Sequence, residues 1–327
     1  MPILNEKHDF KHPVEDDPAW SESYYFNAYD PEINAGMFTR IGIRPNEGTM
    51  DVDFTLWLPG KNLAKLRAFR PQKEMIDTLL EVGGVRYECI APMQEWVVAA
   101  TGEADILDNK GSVTGRKAAI TVDMRYHALI PPIGTDGQGR MGKGASSETG
   151  KNISRGHLEQ AGRWTGWIEV EGERFALKAC RGNRDKSWGP RRWEGPRMWR
   201  WFAINFGDDI HFGGIRIGTE AGDLHRGWVW LDREHTSIKN WDVRTELEED
   251  GITHRLSHVL ATDKKDRVHE LKADLLRVVP VLNEPGPHGR IINEGLARWT
   301  YGDRIGYGIS EYLHQLDEHG RPLVPVE

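Results

Sequence analysis

Apolar and polar positions alternate with a period of two along most of this chain, in short segments separated by glycine-bearing turns. Within residues 51–58, Val52, Phe54 and Leu56 alternate against Asp53, Thr55 and Trp57. Ile120, Val122, Met124 and Tyr126 take one side of residues 119–128. Residues 167–179 hold two such runs around Glu171-Gly172-Glu173, a hairpin signal. Residues 227–233, 253–261 and 268–281 repeat the pattern, with Asp250-Gly251 and Asp263-Lys264-Lys265-Asp266 as turns between them. Successive side chains of a strand point to opposite faces, so the pattern predicts an all-β, antiparallel protein. Helical signals are confined to residues 62–67, 73–77 and 308–315. No long stretch carries an i, i+3, i+4 apolar stripe, which excludes a sheet of strands alternating with helices.

Residues 131–151 are rich in glycine, serine and lysine and read as a long loop. The domain boundary is expected just beyond it, within 155–165, giving domains 1–160 and 161–327. A length of 327 residues accommodates two domains of ordinary size. Neither half repeats at a short fixed period, which excludes a solenoid or propeller.

Composition adds one strong feature, thirteen tryptophans, enough to fill cores and also to line a ligand cavity. A net charge of −7 excludes a broad nucleic-acid face. The local basic cluster Arg191, Arg192, Arg197 and Arg200 reads as an ion-pair network with the many carboxylates. Cys89 and Cys180, the only cysteines, lie in apolar strand patterns and supply neither a disulfide framework nor a zinc pattern. The first residues carry no apolar signal run, and no apolar stretch is long enough to span a bilayer. A cytoplasmic setting follows as the expectation, in which the sequon at Asn152-Ile153-Ser154 carries no glycan.

Cofactor motifs are incomplete. Gly137-Gln138-Gly139-Arg140-Met141-Gly142-Lys143 has dinucleotide-like spacing, but Gly144 replaces the serine or threonine of a phosphate loop and no helix pattern follows. His8 and His12, like His254 and His258, are four apart. In a strand that separation is about 13 Å, too far to share an ion, and no third ligand is in view. No metal and no cofactor are expected. A Gly-x-Ser-x-Gly nucleophile elbow is absent.

Three constellations carry the candidate chemistry. The densest is Arg184-Asp185-Lys186-Ser187-Trp188-Gly189-Pro190-Arg191, which sets a carboxyl group among cations and a tryptophan. In the second, residues 22–31 and 40–48 form a strand pair. Tyr25, Asn27 and Tyr29 share one face, and Arg40, Gly42 and Arg44 share a face of the partner. In the third, His157 and Glu159 share a strand face, an imidazole beside a carboxylate suited to moving protons near neutral pH.

Taken in order, these constellations resemble the hydroxyneurosporene-synthase-like, or carotenoid 1,2-hydratase-like, superfamily. Tyr24-Tyr25-Phe26-Asn27-Ala28-Tyr29-Asp30, Arg40-Ile41-Gly42 and Arg44-Pro45-Asn46-Glu47-Gly48 are similar to its N-terminal half. Residues 182–191 resemble its Arg-Asp-x-Ser-Trp-Gly-x-Arg signature, and Gly306-Tyr307-Gly308-Ile309-Ser310-Glu311-Tyr312 its closing motif. The resemblance covers residues 20–313. It implies two lipocalin-like β-barrel or half-barrel domains packed together, with a hydrophobic cavity in or between them. It also implies water-adding or cyclising chemistry on hydrophobic natural products.

The expected activity is that of a cofactor-independent lyase or hydratase/dehydratase acting by acid–base chemistry. Its substrate would be a bulky hydrophobic small molecule, aromatic or isoprenoid. Carbon–carbon cleavage of a lignin-like phenolic dimer with loss of formaldehyde belongs to the same chemistry. Asp185 is the expected general acid, kept protonated by burial against Trp188 and opposed by Arg184. His157, Tyr25 or Tyr29 would be the base. Arg44 and Arg191 would hold an anionic group, with Asn27 and Glu159 also lining the site. The alternative is a carrier for a hydrophobic ligand, and the Arg191–Arg200 cluster leaves room for an interaction surface. A homodimer is compatible with either reading; a nucleic-acid partner and a membrane span are not expected.

Overall fold

The computed structural model describes the chain apart from residues 77–78, 137–153, 194 and 285 and the side chains of Lys61 and Asn283. The glycine-rich stretch 137–143 and Asn152-Ile153 of the sequon lie outside the described residues. Two compact units result, one of Pro2–Asp108 and Ser112–Arg192, the other of Trp193–Glu327 with Met1 and Asn109–Gly111.

The first unit holds β1 (Trp20–Asp30), β2 (Ala35–Arg44), β3 (Thr49–Trp57), β4 (Leu63–Pro71), β5 (Leu79–Val82) and β6 (Val85–Ala91). It continues with β7 (Glu95–Leu107), β8 (Val113–Ala128), β9 (Ile133–Thr135), β10 (Gly156–Val170), β11 (Glu173–Ala176) and β12 (Arg181–Pro190). Its ladders run in a ring: β1 to β2, β3, β4, β7, β8, β10, β12 and back to β1. The expected boundary at 160/161 falls inside β10, and a division there would cut its ladders with β8 and β12. The chain divides after Arg192 instead.

Inward residues of this ring follow the alternation read from the sequence. Ile120, Val122, Met124 and Tyr126 of β8 meet Tyr24, Phe26 and Ala28 of β1 in one apolar core. The hairpin between β10 and β11 turns on Glu171 and Gly172, at φ 52° and 85°, the left-handed pair a two-residue hairpin needs. Cys180 is part of the core and Cys89 packs against it; neither is in a disulfide.

The second unit is a closed barrel of eight antiparallel strands in sequence order. These are β13 (Met198–Phe206), β14 (Ile210–Thr219), β15 (Gly222–Leu231), β16 (Glu234–Leu247), β17 (His254–Asp263), β18 (Val268–Glu284), β19 (Arg290–Tyr301) and β20 (Arg304–Gln315). Asp250-Gly251 and residues 263–266 make the expected turns. In the latter, Asp263 Oδ1 accepts from the backbone of Lys265 and Arg267 at 2.8 and 3.0 Å.

Two helical expectations are corrected. Residues 63–67 belong to β4, and 308–315 to β20, where pairing with both β13 and β19 outweighs local preference. Asp77 of the third lies outside the described residues, and residues 73–76 carry no helix. Among the described residues, no helix is long and apolar enough to cross a membrane.

Candidate active site

Strand β12 carries the densest motif, and strand alternation divides it. Arg184, Lys186 and Trp188 lie opposite Phe26, Tyr24 and Glu22 of β1 and point into the ring; Asp185 and Ser187 point outward. The expected apolar wall of Trp188 against Asp185 is therefore absent, as is a direct Arg184–Asp185 pair. Neighbours in sequence have been sent to opposite faces.

The inward set is a closed electrostatic unit. Arg184, 2% exposed, pairs with Asp9, donates to Gln160 Oε1 at 2.7 Å and lies over the rings of Trp96 and Tyr126. Lys186, 1% exposed, pairs with Glu22 at 2.6 Å and donates to the carbonyls of His8 and Phe10. Burial lowers the Lys186 pKa even with Glu22 opposing; Glu22 is held low by Lys186 and His12 against its own burial. His8 and His12 share a 3.0 Å hydrogen bond and stack on Trp188, with the His12 and Trp188 centroids 3.7 Å apart. Burial, His12, Lys7 and Lys186 push the His8 pKa down to about 4. Each cation here has a carboxylate, so Arg184 and Trp188 hold the N-terminal segment, not a substrate.

The outward set is different. On β10, His157 and Glu159 share the outer face, opposite Ser187 and Asp185 of β12. Across β12, Tyr25 of β1 lies opposite Asp185 on that same face. His157 Nε2 donates to Asp185 Oδ2, and a Glu159 oxygen lies 3.8 Å from the same nitrogen. Glu159 is 3% exposed, Asp185 15% and His157 26%, so water reaches the imidazole and not the second carboxylate. Arg191 donates to Ser187 Oγ at 2.8 Å beside them.

Burial alone would lower the His157 pKa. The charge and hydrogen bond of Asp185, with Glu159 behind it, outweigh burial and Arg191 and raise it from 6.5 to about 9. At neutral pH the ring is thus an imidazolium, a proton donor held against a carboxylate.

Other expected residues have mixed placements. Asn27 shares the outer face of β1; its Oδ1 accepts from Asn183 N at 3.0 Å, and its buried Nδ2 has no hydrogen-bond partner among the described residues. Tyr29 donates to Asn34 Oδ1 at 2.9 Å, which ties it to the β1–β2 turn. Arg44 and Arg40 both bind Asp51, and Arg40 also donates to Ser23 Oγ at 3.1 Å. Arg44 is thus committed to a carboxylate of its own sheet rather than to a ligand. Sequence reasoning missed Asp9, the partner of Arg184; no local signal links positions so far apart in the chain.

Among the described residues, one group brings three metal-ligating atoms together: His157, Glu159 and Asp185, all within 4.8 Å of one another. One imidazole and two carboxylates are a donor set acceptable to a divalent cation. His8–His12 is a stacked hydrogen-bonded pair, and His258 is exposed while His254 is buried, so neither histidine pair joins such a group. A shallow groove of about 480 Å³ lies at Arg70, Ile76, Leu79, Glu81, Val82 and Gly83. It contains none of the expected site residues and only one acid and one base, so the outer-face cluster is the better candidate.

Fold and site together define an all-β protein of two antiparallel units, one of them a closed eight-stranded barrel. More narrowly, the chain belongs to the family described as domain of unknown function DUF7064, whose model matches residues 5–316. No curated protein sequence matches the chain significantly. Among solved structures it is similar to an AttH protein from Nitrosomonas europaea, with 12% identity, TM-score 0.62, and coverage of 95% of this chain and 98% of that one. Kievitone hydratase from Nectria haematococca is similar at 12% identity and TM-score 0.59, covering 95% and 93%. CghA, solved with Sch210972, is similar at 12% identity and TM-score 0.57, covering 92% and 89%. At such identity the likeness is one of fold.

Proposed function

We propose that this protein is a hydratase or dehydratase of a bulky hydrophobic small molecule, working by proton transfer through His157 and Asp185. The observation that carries the reading is the outer-face trio, in which Asp185 and Glu159 keep His157 protonated at neutral pH. The expected roles are thereby rearranged: His157 is the acid, and Asp185 the carboxylate that charges and orients it.

In dehydration, the His157 imidazolium, held through Nε2 by Asp185, gives its Nδ1 proton to the departing hydroxyl, which leaves as water. A neighbouring C–H then loses its proton to the neutral imidazole, and the electron pair closes the double bond. Hydration is the reverse: His157 protonates the alkene, water adds to the cationic carbon, and the proton from that water returns to His157. These transfers balance with no group beyond the side chains. Tyr25 stands opposite Asp185 and the unpaired Asn27 amide lies on the same face, which supports a role for both in orienting a substrate oxygen. Arg191 would offset negative charge on a phenolate.

The similarity in fold to kievitone hydratase supports water addition as the first chemistry to try. The test is turnover of kievitone and of lignin-like phenolic dimers by the full chain, followed by mass spectrometry. A gain or loss of water dependent on His157 supports the reading. Release of formaldehyde from a dimer would move it to carbon–carbon cleavage, and tight binding without turnover would make the protein a carrier.

A further inference from the structure

The sequence places Arg200 in a basic cluster expected to be neutralised by carboxylates. Arg192 follows that rule, with Asp17 at 2.7 Å. Arg200 does not. It is 4% exposed, and among the described residues no carboxylate lies within ion-pair distance of it. Its Nη1 donates to the carbonyls of Trp199 and Leu313 at 2.8 and 3.3 Å. Nearby acids are taken by another arginine: Asp223 and Glu327 lie 2.6 and 3.5 Å from Arg216.

Arg200 sits at the barrel end where β13 begins and β20 finishes. It alternates with the core residues Phe202, Ile204 and Phe206 and so faces inward, opposite Tyr312 in register. Its guanidinium lies 4.0 Å from the centre of the Tyr312 ring, and His254 stacks on that ring at 4.0 Å and 2°. The Tyr312 hydroxyl is bound by Thr245 and Ser257, each at 2.8 Å, which fixes the ring. His254 Nε2 donates to the Ser310 carbonyl at 2.8 Å, leaving Nδ1 a bare acceptor. Neither ring nitrogen of His314, nor His254 Nδ1, nor Ser310 Oγ has a partner among the described residues, and all three residues are at most 1% exposed.

A buried cation without a counter-charge is costly, as is each unsatisfied buried polar group. An arginine with no ion-pair partner, gathered about the Tyr312 ring with two imidazoles and a hydroxyl that have unpaired buried atoms, marks a built site. We propose that this end of the second barrel binds a small organic acid, whose carboxylate is received by Arg200 and whose hydroxyl is received by the imidazoles.

The electrostatics agree. Burial and Arg200 hold His254 down to about 3, against its bond to Ser310; burial, Arg200 and His254 hold His314 down to about 2. Both rings are neutral at physiological pH, so the site carries one positive charge and a neutral donor–acceptor set. A monoanion with a hydroxyl matches it; a dianion or a cation does not. This site is independent of the His157–Asp185 reading, and neither needs the other.

The test is calorimetric titration of the full chain with 4-hydroxybenzoate, with 4-hydroxybenzamide as the uncharged control. Saturable binding of the acid at one site is expected, with the amide at least about tenfold weaker, as loss of a charge-assisted pair implies. Arg200→Met should weaken the acid at least as much without lowering the melting temperature, because it removes an uncompensated charge. His314→Leu should also keep the fold and weaken binding. The proposal is overturned if the wild type does not bind, if the amide binds as well as the acid, or if both variants bind unchanged. It is also overturned if Arg200→Met melts lower while His314→Leu binds normally, since Arg200 is then only a packing strut on Tyr312.

Discussion

Asp185→Asn separates the roles of the His157–Asp185 pair, because it removes one charge and nearly preserves shape. In the native site the His157 pKa rises from 6.5 to about 9, a differential worth about 3 kcal/mol at 1.36 kcal/mol per pH unit. The His157 side chain is 26% exposed, so solvent screening reduces this to about 2–3 kcal/mol. The folded pKa lies above the unfolded one. The stabilisation is therefore fully present below about pH 6.5 and is lost as pH rises through about 9.

In Asp185→Asn, burial and Arg191 remain to lower the His157 pKa and only Glu159, 3.8 Å away, remains to raise it. The pKa should fall by about two units or more, and the protein should lose most of its stability difference between pH 6 and pH 9.5. Turnover at neutral pH should drop by about 10²–10⁴-fold, the usual worth of one positioned acid. The assay is NMR titration of the His157 ring in both proteins, with urea unfolding at the two pH values. An imidazole that still titrates near 9 in Asp185→Asn would show that Asp185 is not what charges it, and the proposed roles would fall together.

Lys186→Met should destabilise the first unit by about 3–5 kcal/mol, because it leaves Glu22 buried and less compensated; chemical denaturation measures this, and a loss under about 1 kcal/mol contradicts it. Gly36→Ala should lower the melting temperature sharply, since its Cβ would stand 2.1 Å from the Ala28 carbonyl across the β1–β2 ladder; an unchanged melt would mean the strands can part there. Exhaustive chelation should leave turnover intact, because the proton transfers use side chains alone; activity lost to a chelator and restored by one divalent ion would turn His157, Glu159 and Asp185 into ligands.

Period-two alternation is a local property, and it sufficed to locate strands such as β3, β8 and β10 and the Glu171-Gly172 turn. It also sufficed to put Tyr25, Asn27 and Tyr29 on one face of β1, and His157 with Glu159 on one face of β10. It misread residues 308–315, where a run compatible with a helix is held as a strand by ladders on both sides. Register is not local. Pairing of β10 with β12 brings His157 to Asp185, and pairing of β1 with β12 turns Arg184 and Trp188 away from Asp185 toward the core. A motif read as one cluster thus became two, an inner set neutralised by Asp9 and Glu22 and an outer set in which Asp185 meets His157. The amino-acid sequence by itself determined the strands, their faces and the residue types available for chemistry. Which charges meet was decided only when distant strands paired, because a one-residue change of register sends every side chain of a strand to the opposite face.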